Sequence, residues 1–549
     1  MTTGAIPEGT AAAGVLPAGA AITAAPRAAA PVARARLVGD AGFAMGAKLA
    51  YLVTRLGMPP LILAHVSLAD YGLWAACFLI VGYIGLADLG LSSVYVRYVA
   101  RMHAQGDTGG IGRTLSTGMI SLGVVACVLV GVLYALLPLC LDLLRIDVAS
   151  RPTATVLIMG TATVFLADMT LGGFAYLLHG LQRIRLEQQI GLAACMLELA
   201  LIVAFLHAGF GVVSLLAAYA LRYAFSLALT MRQAFRVLPG LRLSPRLFDR
   251  ALLREILGFG LRVQASTVFS IVLHSADRLV AGIALGPKAI ALFDLGGKIP
   301  VAAVTVPAAI THVTLPAAAA IDSRASAGAF AQLAALALKS TRAISLASAI
   351  PMAFLGAFSV PLCRAWLGER PDLALLPLIM ALTTVGAHLH IVTGPVSAAF
   401  RSQGNVGNEF VYHGLRVAGM AAGIGLAILA MGLGVAALAW GFAAGSATAA
   451  VIYLAYSCRA LGVALPLLAT RVLLPGLLPA AIALALAAAW LAVVPPTTSR
   501  WPALALLAAF GAVHVALSVL ALWRLLDAEE RAHLAPLLPG LRRRGVAAR

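Results

Sequence analysis

The sequence predicts an all-α polytopic membrane protein with about 14 transmembrane helices. Three observations carry that prediction. Hydrophobic residues make up 62% of the 549-residue chain and charged residues 11%, against about 45–50% and about 25% in soluble domains. Apolar runs of about 20 residues recur from end to end, and each can cross a hydrocarbon core as a helix. The basic residues, which give a net charge of +18, gather in every second connecting segment. That spacing follows the positive-inside rule, so the charge speaks for topology and not for a nucleic-acid partner.

The expected spans are 38–60, 70–96, 114–138, 153–178, 188–208, 211–231, 256–285, 289–315, 343–366, 373–399, 410–430, 434–457, 472–494 and 502–523. With the N-terminus inside, the inner segments hold about 26 Arg and Lys, against about 6 in the outer loops (Arg145, Arg151, Lys288, Arg364, Arg370 and Arg500). Both termini are therefore expected in the cytoplasm. Residues 1–37, rich in Ala, Pro and Gly, read as a disordered cytoplasmic tail held inside by Arg27, Arg34 and Arg36. Their apolar stretch is broken by prolines and their acid precedes the basic residues, unlike a signal peptide. The longest basic loop runs over 232–255. Its second half reads either as a short helix on the inner leaflet or as a solvated connector.

A loose internal repeat supports a division into lobes. LAHVSLADYGLWAACFLI (63–80) and LVAGIALGPKAIALFDLGGKI (279–299) share a helix end, a tight turn, then small residues with an aromatic, Tyr71 or Phe293. The offset covers six spans, an even number, so the repeat is parallel about an axis along the membrane normal. The resulting division is 38–236 as an N-terminal six-helix lobe, 237–255 as a basic connector and 256–460 as a second, pseudo-symmetric six-helix lobe. Residues 461–549 hold two further helices and a basic tail.

Seven cations remain inside the spans: Lys48, Arg55, Arg222, Arg262, Arg278, Lys298 and Arg416. Acids accompany them at Asp88, Asp168, Glu198, Asp277 and Asp294. Each charge costs roughly 2.5–3.5 kcal/mol at a helix centre on insertion scales, so these residues should face a wet cavity or one another. In the seventh span Gln264, Thr267, Ser270, His274 and Asp277 step by three or four and form a polar stripe, flanked by Arg278. That stripe reads either as the wall of a polar cavity or as a helix–helix hydrogen-bond seam. On the first span Lys48, Tyr51 and Arg55 share a face with no acid, so both cations need an anion from another helix or from a ligand. Asp294 and Lys298 at i, i+4 can pair locally, and Glu198 with Arg222 reads as a structural bridge between adjacent spans.

Other chemistries find no support. There is no GxxxxGK[ST] loop, no HExxH and no GxSxG. The six cysteines lie mostly in apolar runs with no CxxC, against a metal or disulfide role. His388 and His390 point to opposite sides of a helix. With no sizeable soluble domain, the chemistry left is binding and movement, with no cofactor and no enzymatic activity.

YGLWAACFLIVGYIGLADLGLSSVYVRYVARMHAQGD (71–107) resembles the second-span region of Wzx-type polysaccharide flippases. These belong to the multidrug/oligosaccharidyl-lipid/polysaccharide exporter superfamily. The shared pattern is a YG start, an apolar run, DLGL and an R-x-x-A-R end. SADRLVAGIALGPKAIALFDLGGKIP (275–300), LPAAAAIDSRA (315–325), RAWLGE (364–369) and RSQGNVGNEF (401–410) resemble later segments of the same family, so the likeness covers about 40 to 460. The resemblance implies two six-helix lobes around a central cavity, plus two extra helices. It also implies a polyprenyl-diphosphate-linked oligosaccharide moved from the inner to the outer leaflet of a bacterial inner membrane, for O-antigen, capsule or exopolysaccharide synthesis. The drive would be a proton or sodium gradient or the membrane potential, and polysaccharide polymerase machinery would be a further contact. On this reading Lys48, Arg55, Arg278 and Lys298 meet the diphosphate, and Gln264, Thr267, Ser270 and His274 line the glycan groove; Asp277 with Arg278 reads either as a gated anion site or as a permanent ion pair. Three rivals stand beside it. A non-transporting membrane scaffold would not need the unpaired cations on the first span. A drug exporter of the same superfamily would favour an acidic cavity. A membrane-embedded glycan polymerase or ligase would need a large outer loop, where the longest here is about a dozen residues.

Overall fold

The computed structural model describes residues 31–88, 90–258, 273, 275–322, 328–405, 407–495, 498–526 and 531. Among them the regular structure is entirely helical. The first group of helices is α1 (Pro31–Leu63), α2 (Leu68–Ile84), α3 (Leu91–Ala104), α4 (Thr108–Leu143), α5 (Arg151–Leu171), α6 (Gly173–Gly180), α7 (Ile184–His207) and α8 (Val213–Val237). A ninth, α9, covers 250–258. The second group is α10 (Ala276–Leu285), α11 (Pro287–Asp322), α12 (Ala329–Ala357), α13 (Ser359–Leu367), α14 (Leu376–Val392), α15 (Gly394–Ser402), α16 (Gly407–Met431) and α17 (Val435–Ala460). Then follow α18 (Leu465–Leu468), α19 (Leu474–Val493) and α20 (Arg500–Leu525).

Twelve helical segments among the described residues are long and apolar enough to cross a membrane. Each overlaps one of the expected spans, though some limits differ: Leu68–Asp88 ends before the expected 96, and Ala329–Ala357 starts well before the expected 343–366. The other two are α1, whose middle carries Lys48 and Arg55, and the seventh span, which lies largely outside the described residues. Helix α1 starts at Pro31, inside the stretch read as a tail. Proline at a first helical position is pre-set for the turn and loses no needed donor.

Local chemistry fixes the helix ends. The Ser67 hydroxyl caps α2 by accepting from Asp70 N at 3.1 Å, and donates to the Asp70 carboxylate at 2.7 Å. Asp107 caps α4 through Gly110 N at 2.7 Å. The basic connector is docked on α4. Ser244 N donates to Ser116 Oγ at 3.2 Å, and Asp249 N to Thr117 Oγ1 at 3.0 Å. After it the chain turns into α9, whose first described residues fall within the second half of this loop.

The distribution of buried side chains gives the shape its meaning. At one end a single apolar core takes residues from both groups, among them Leu68, Trp74 and Leu144 from the first and Ile290, Phe293 and Leu376 from the second. Turn residues join the groups at the same end. Arg145 Nε donates to Ile283 O at 3.0 Å, Trp366 Nε1 to Leu56 O at 2.7 Å, and Arg370 Nη1 to Leu63 O at 2.8 Å. Helices α2 and α11 meet so closely that a Cβ on Gly72 would overlap the Pro287 carbonyl. At the other end the core of the described residues is split. One cluster around Leu91, Ile111 and Leu177 belongs to the first group, and another around Leu333, Val392 and Leu454 to the second. Among the described residues the two groups are thus joined at one end and separately packed at the other.

Within the second group, α16 and α17 pack through Gly419, Gly423, Gly441 and Gly445, where a Cβ on any of them would meet the facing backbone. Small residues spaced by four let membrane helices approach, where lipid supplies no hydrophobic drive. Helix α20 is pinned at both ends. Arg500 donates to Ala365 O at 3.0 Å and Trp366 O at 2.9 Å, and Arg342 donates to Leu525 O at 2.7 Å.

Candidate functional site: a charge-lined membrane cavity

A cavity of about 600 Å³ lies among α10, α11, α14, α16 and α17, with Leu52 of α1 as its contribution from the first group. Its charged lining is Asp277, Arg278, Asp294, Lys298 and Arg416, joined by His390. Apolar residues including Leu273, Phe293, Leu382 and Phe442 make up much of the remaining wall. Among the described residues, three cations against two carboxylates make the lining basic.

Asp294 is the hub of the wall formed by α10 and α11. Its Oδ2 lies 2.7 Å from Lys298 Nζ, one turn further along α11. Its Oδ1 accepts from Arg278 Nη1 at 3.3 Å. Tyr71 of α2 donates to the same carboxylate at 2.9 Å. The chain reverses at Gly286, with φ 82°, and this lays α10 against α11 so that Arg278 reaches Asp294. Asp277 is more loosely engaged. Its Oδ1 accepts from Arg278 N at 2.8 Å and stands 4.0 Å from Arg278 Nε. Arg278 also donates to Ser275 Oγ at 3.2 Å. The expected Asp277–Arg278 pair is thus the weaker of two contacts, and the main counter-charge comes from Asp294.

Arg55 does not line the cavity. It turns toward α7, where Nη2 lies 2.8 Å from Glu198 Oε2. Arg222 of α8 approaches the same oxygen at 3.4 Å. Glu198 is only 2% exposed, so both cations are held on one buried carboxylate. The anion sought for Arg55 is another helix's glutamate, and the expected Glu198–Arg222 bridge is part of the same triad. Lys48 is exposed, one turn before the cavity-lining Leu52 and on the same face of α1. Gln264 and His274, with Thr267 and Ser270, lie outside the described residues. The cavity therefore brings together Asp277, Arg278 and Lys298 of the expected set, and adds Asp294, His390 and Arg416.

The bundle and its charge-lined cavity define a polytopic α-helical membrane protein. The inward closed conformation of the lipid II flippase MurJ superposes with a TM-score of 0.65 at 13% identity, covering 87% of this chain and 99% of that one. An inward-facing multidrug-resistance MATE family transporter of the MOP superfamily matches at 0.58 and 20% identity, over 76% and 94%. The Vibrio cholerae MATE transporter VcmN matches at 0.52 and 17% identity, over 77% and 98%. At these identities the likeness establishes the fold. No curated protein matches the sequence closely enough to count as a relative. The chain belongs to the polysaccharide biosynthesis protein family, whose profile matches residues 44–321.

Proposed function

We propose that the protein flips a polyprenyl-diphosphate-linked oligosaccharide from the inner to the outer leaflet of a bacterial inner membrane, supplying surface polysaccharide synthesis. The observation that carries this reading is the Arg278–Asp294–Lys298 wall. A membrane protein keeps charge at this depth for an ion or substrate path, and Arg278 and Lys298, which share Asp294 with Asp277 only loosely engaged, can each take further negative charge. An arriving diphosphate supplies it, with the Arg278 fork suited to paired phosphate oxygens. Lys48, at the turn of α1 next to Leu52, lies along the approach from the split end. A basic cavity is the opposite of what a cationic drug needs, which disfavours the small-molecule exporter.

Two lobes built from the first and second groups would rock about the joined end, as in alternating access. The joined end carries the turns near 64–67, 144–147 and 368–371, which are outer loops by the distribution of basic residues. On that assignment the cavity faces the cytoplasm, where lipid-linked glycans are assembled, and both termini lie inside. The protein is a transporter and not an enzyme, driven by a proton or sodium gradient or by the membrane potential. The direct test places purified protein in liposomes with a fluorescent undecaprenyl-diphosphate disaccharide on one leaflet. Dithionite should then quench the transferred fraction faster than in empty liposomes. Equal quenching with and without protein would overturn the reading.

A further inference from the structure

Two histidines meet at the joined end, away from the cavity. His65 lies in the turn after α1, and His207 is the last residue of α7. Their ring centroids are 4.8 Å apart with the planes at 56°, and both side chains are exposed. His65 Nδ1 lies 3.0 Å from Leu61 O, and His207 Nδ1 lies 2.8 Å from Val203 O. A carbonyl only accepts, so each Nδ1 carries the ring proton and donates it. The tautomer is set in this way, and each Nε2 keeps a free lone pair. Histidine often closes a helix C-terminus with such a bond, but capping two helices does not require the two rings to meet.

The backbone holds both rings in place. Phe210 N donates to Phe205 O at 3.2 Å and Gly209 N to Leu206 O at 3.1 Å, with Gly209 at φ 84°. This pair of bonds closes α7 around His207. His65 N donates to Ile62 O at 2.9 Å, and the next residue, Val66, is buried. A carbonyl that holds Nδ1–H orients a metal-bound imidazole and raises the basicity of Nε2. A divalent ion about 2.0–2.1 Å from two such nitrogens places the ring centroids on the order of 5 Å apart. The 4.8 Å separation of His65 and His207 fits that geometry. Among the described residues no group of three or more His, Cys, Asp or Glu forms here. The remaining coordination positions therefore go to water, and a bound ion exchanges.

We propose that His65 and His207 form a two-imidazole site for an exchangeable divalent transition metal ion, copper or zinc, at the joined end. Imidazole nitrogen binds both, and copper(II) more tightly than zinc. The ion fastens the α1–α2 turn to the end of α7, within the first group. The second group grips the same stretch of α1, since Trp366 donates to Leu56 O and Arg370 to Leu63 O. Occupancy of the site therefore stiffens a segment through which the two groups are joined. The site uses no cavity residue and stands independently of the flippase reading.

The test uses the full-length protein in lipid nanodiscs, purified on a peptide tag that contains no histidine. Cu2+ titrated alone should form a complex whose electron paramagnetic resonance spectrum shows two equatorial nitrogens. His65→Gln and His207→Gln both change exposed side chains. Each should weaken binding about tenfold or more and leave a single nitrogen in the spectrum. His103→Gln, on α3 at the split end, should alter neither. Zn2+ should raise the melting temperature of the wild type and of His103→Gln, and of neither His65→Gln nor His207→Gln. Equal melting temperatures without metal would show that these variants fold. Unchanged Cu2+ affinity in either variant would overturn the site, and so would a wild type with no two-nitrogen species. A variant that melts lower without metal yet binds Cu2+ as the wild type does would reduce the two histidines to helix caps.

Discussion

Tyr71 and Asp294, 223 positions apart in the chain, are joined by a 2.9 Å hydrogen bond across the contact of α2 and α11. The same carboxylate forms ion pairs with both Arg278 and Lys298. One side chain therefore belongs both to the junction of the two helix groups and to the cavity wall. An anion arriving at Arg278 and Lys298 competes with Asp294 for both cations, and this couples occupancy of the cavity to the strength of the junction.

Tyr71→Phe removes the hydroxyl and little else. A hydrogen bond to a charged group contributes about 1.5–3 kcal/mol, so the balance between closed and open forms of the joined end should shift by roughly ten- to hundredfold. Spin labels on Val148 and Lys288, both exposed at that end, report the change in a background lacking the native cysteines. A longer, broader distance distribution in the variant is expected. An unchanged distribution would show that the junction holds without Tyr71.

Asp277→Asn and Asp294→Asn should differ sharply. Asp294 serves two cations and a tyrosine, so neutralising it leaves buried charge uncompensated at a cost of about 3–5 kcal/mol. Membrane abundance should fall. Asp277 is a third exposed and 4.0 Å from its nearest guanidinium nitrogen, so its variant should remain abundant. Quantitative immunoblots of membranes compare the two directly, and equal abundance would contradict the assignment of Asp294 as the hub.

Glu198→Gln should be worse for folding than Arg55→Ala. The first change leaves Arg55 and Arg222 facing each other without a carboxylate, while the second leaves Glu198 with Arg222. The expected gap is about 2 kcal/mol or more in favour of Arg55→Ala, read as residual fluorescence of tagged protein after heating and size-exclusion. If Arg55 also meets substrate, Arg55→Ala would lose transport at unchanged thermal stability, and that split is visible in the same preparation.

What could be read from the sequence followed the range of each interaction. Twelve spans were legible because apolar length is a local property and the bilayer demands it. The Asp294–Lys298 pair was legible for the same reason, being one turn apart. The partner of Arg55 was not, because Glu198 lies 143 positions away on a helix whose facing side is set by packing. Arg278 was paired on paper with its neighbour Asp277. The reversal at Gly286 instead folds α10 onto α11 and offers Asp294 in better geometry. Arg416 was visible as a charge inside a span, but that no described residue forms an ion pair with it emerges only in the folded bundle.

Which end of the molecule opens is tested from the two sides of the membrane. Thr305 and Ala308 line the cavity on the turns of α11 beyond Lys298, toward the split end. If that end faces the cytoplasm, single cysteines there should react with a membrane-impermeant maleimide in inverted vesicles and be protected in spheroplasts. The protection should be strong, because the joined end is filled by the shared apolar core and by the Arg145, Trp366 and Arg370 contacts. A reporter fused after Ser67, in the turn between α1 and α2, should be active on the periplasmic side, and one at the C-terminus on the cytoplasmic side. Adding a lipid-linked substrate should lower cysteine labelling from the cytoplasmic side in the wild type and leave it unchanged in Arg278→Ala. Labelling of Thr305 and Ala308 cysteines from the outside alone would reverse the orientation, and with it the direction in which the cavity loads.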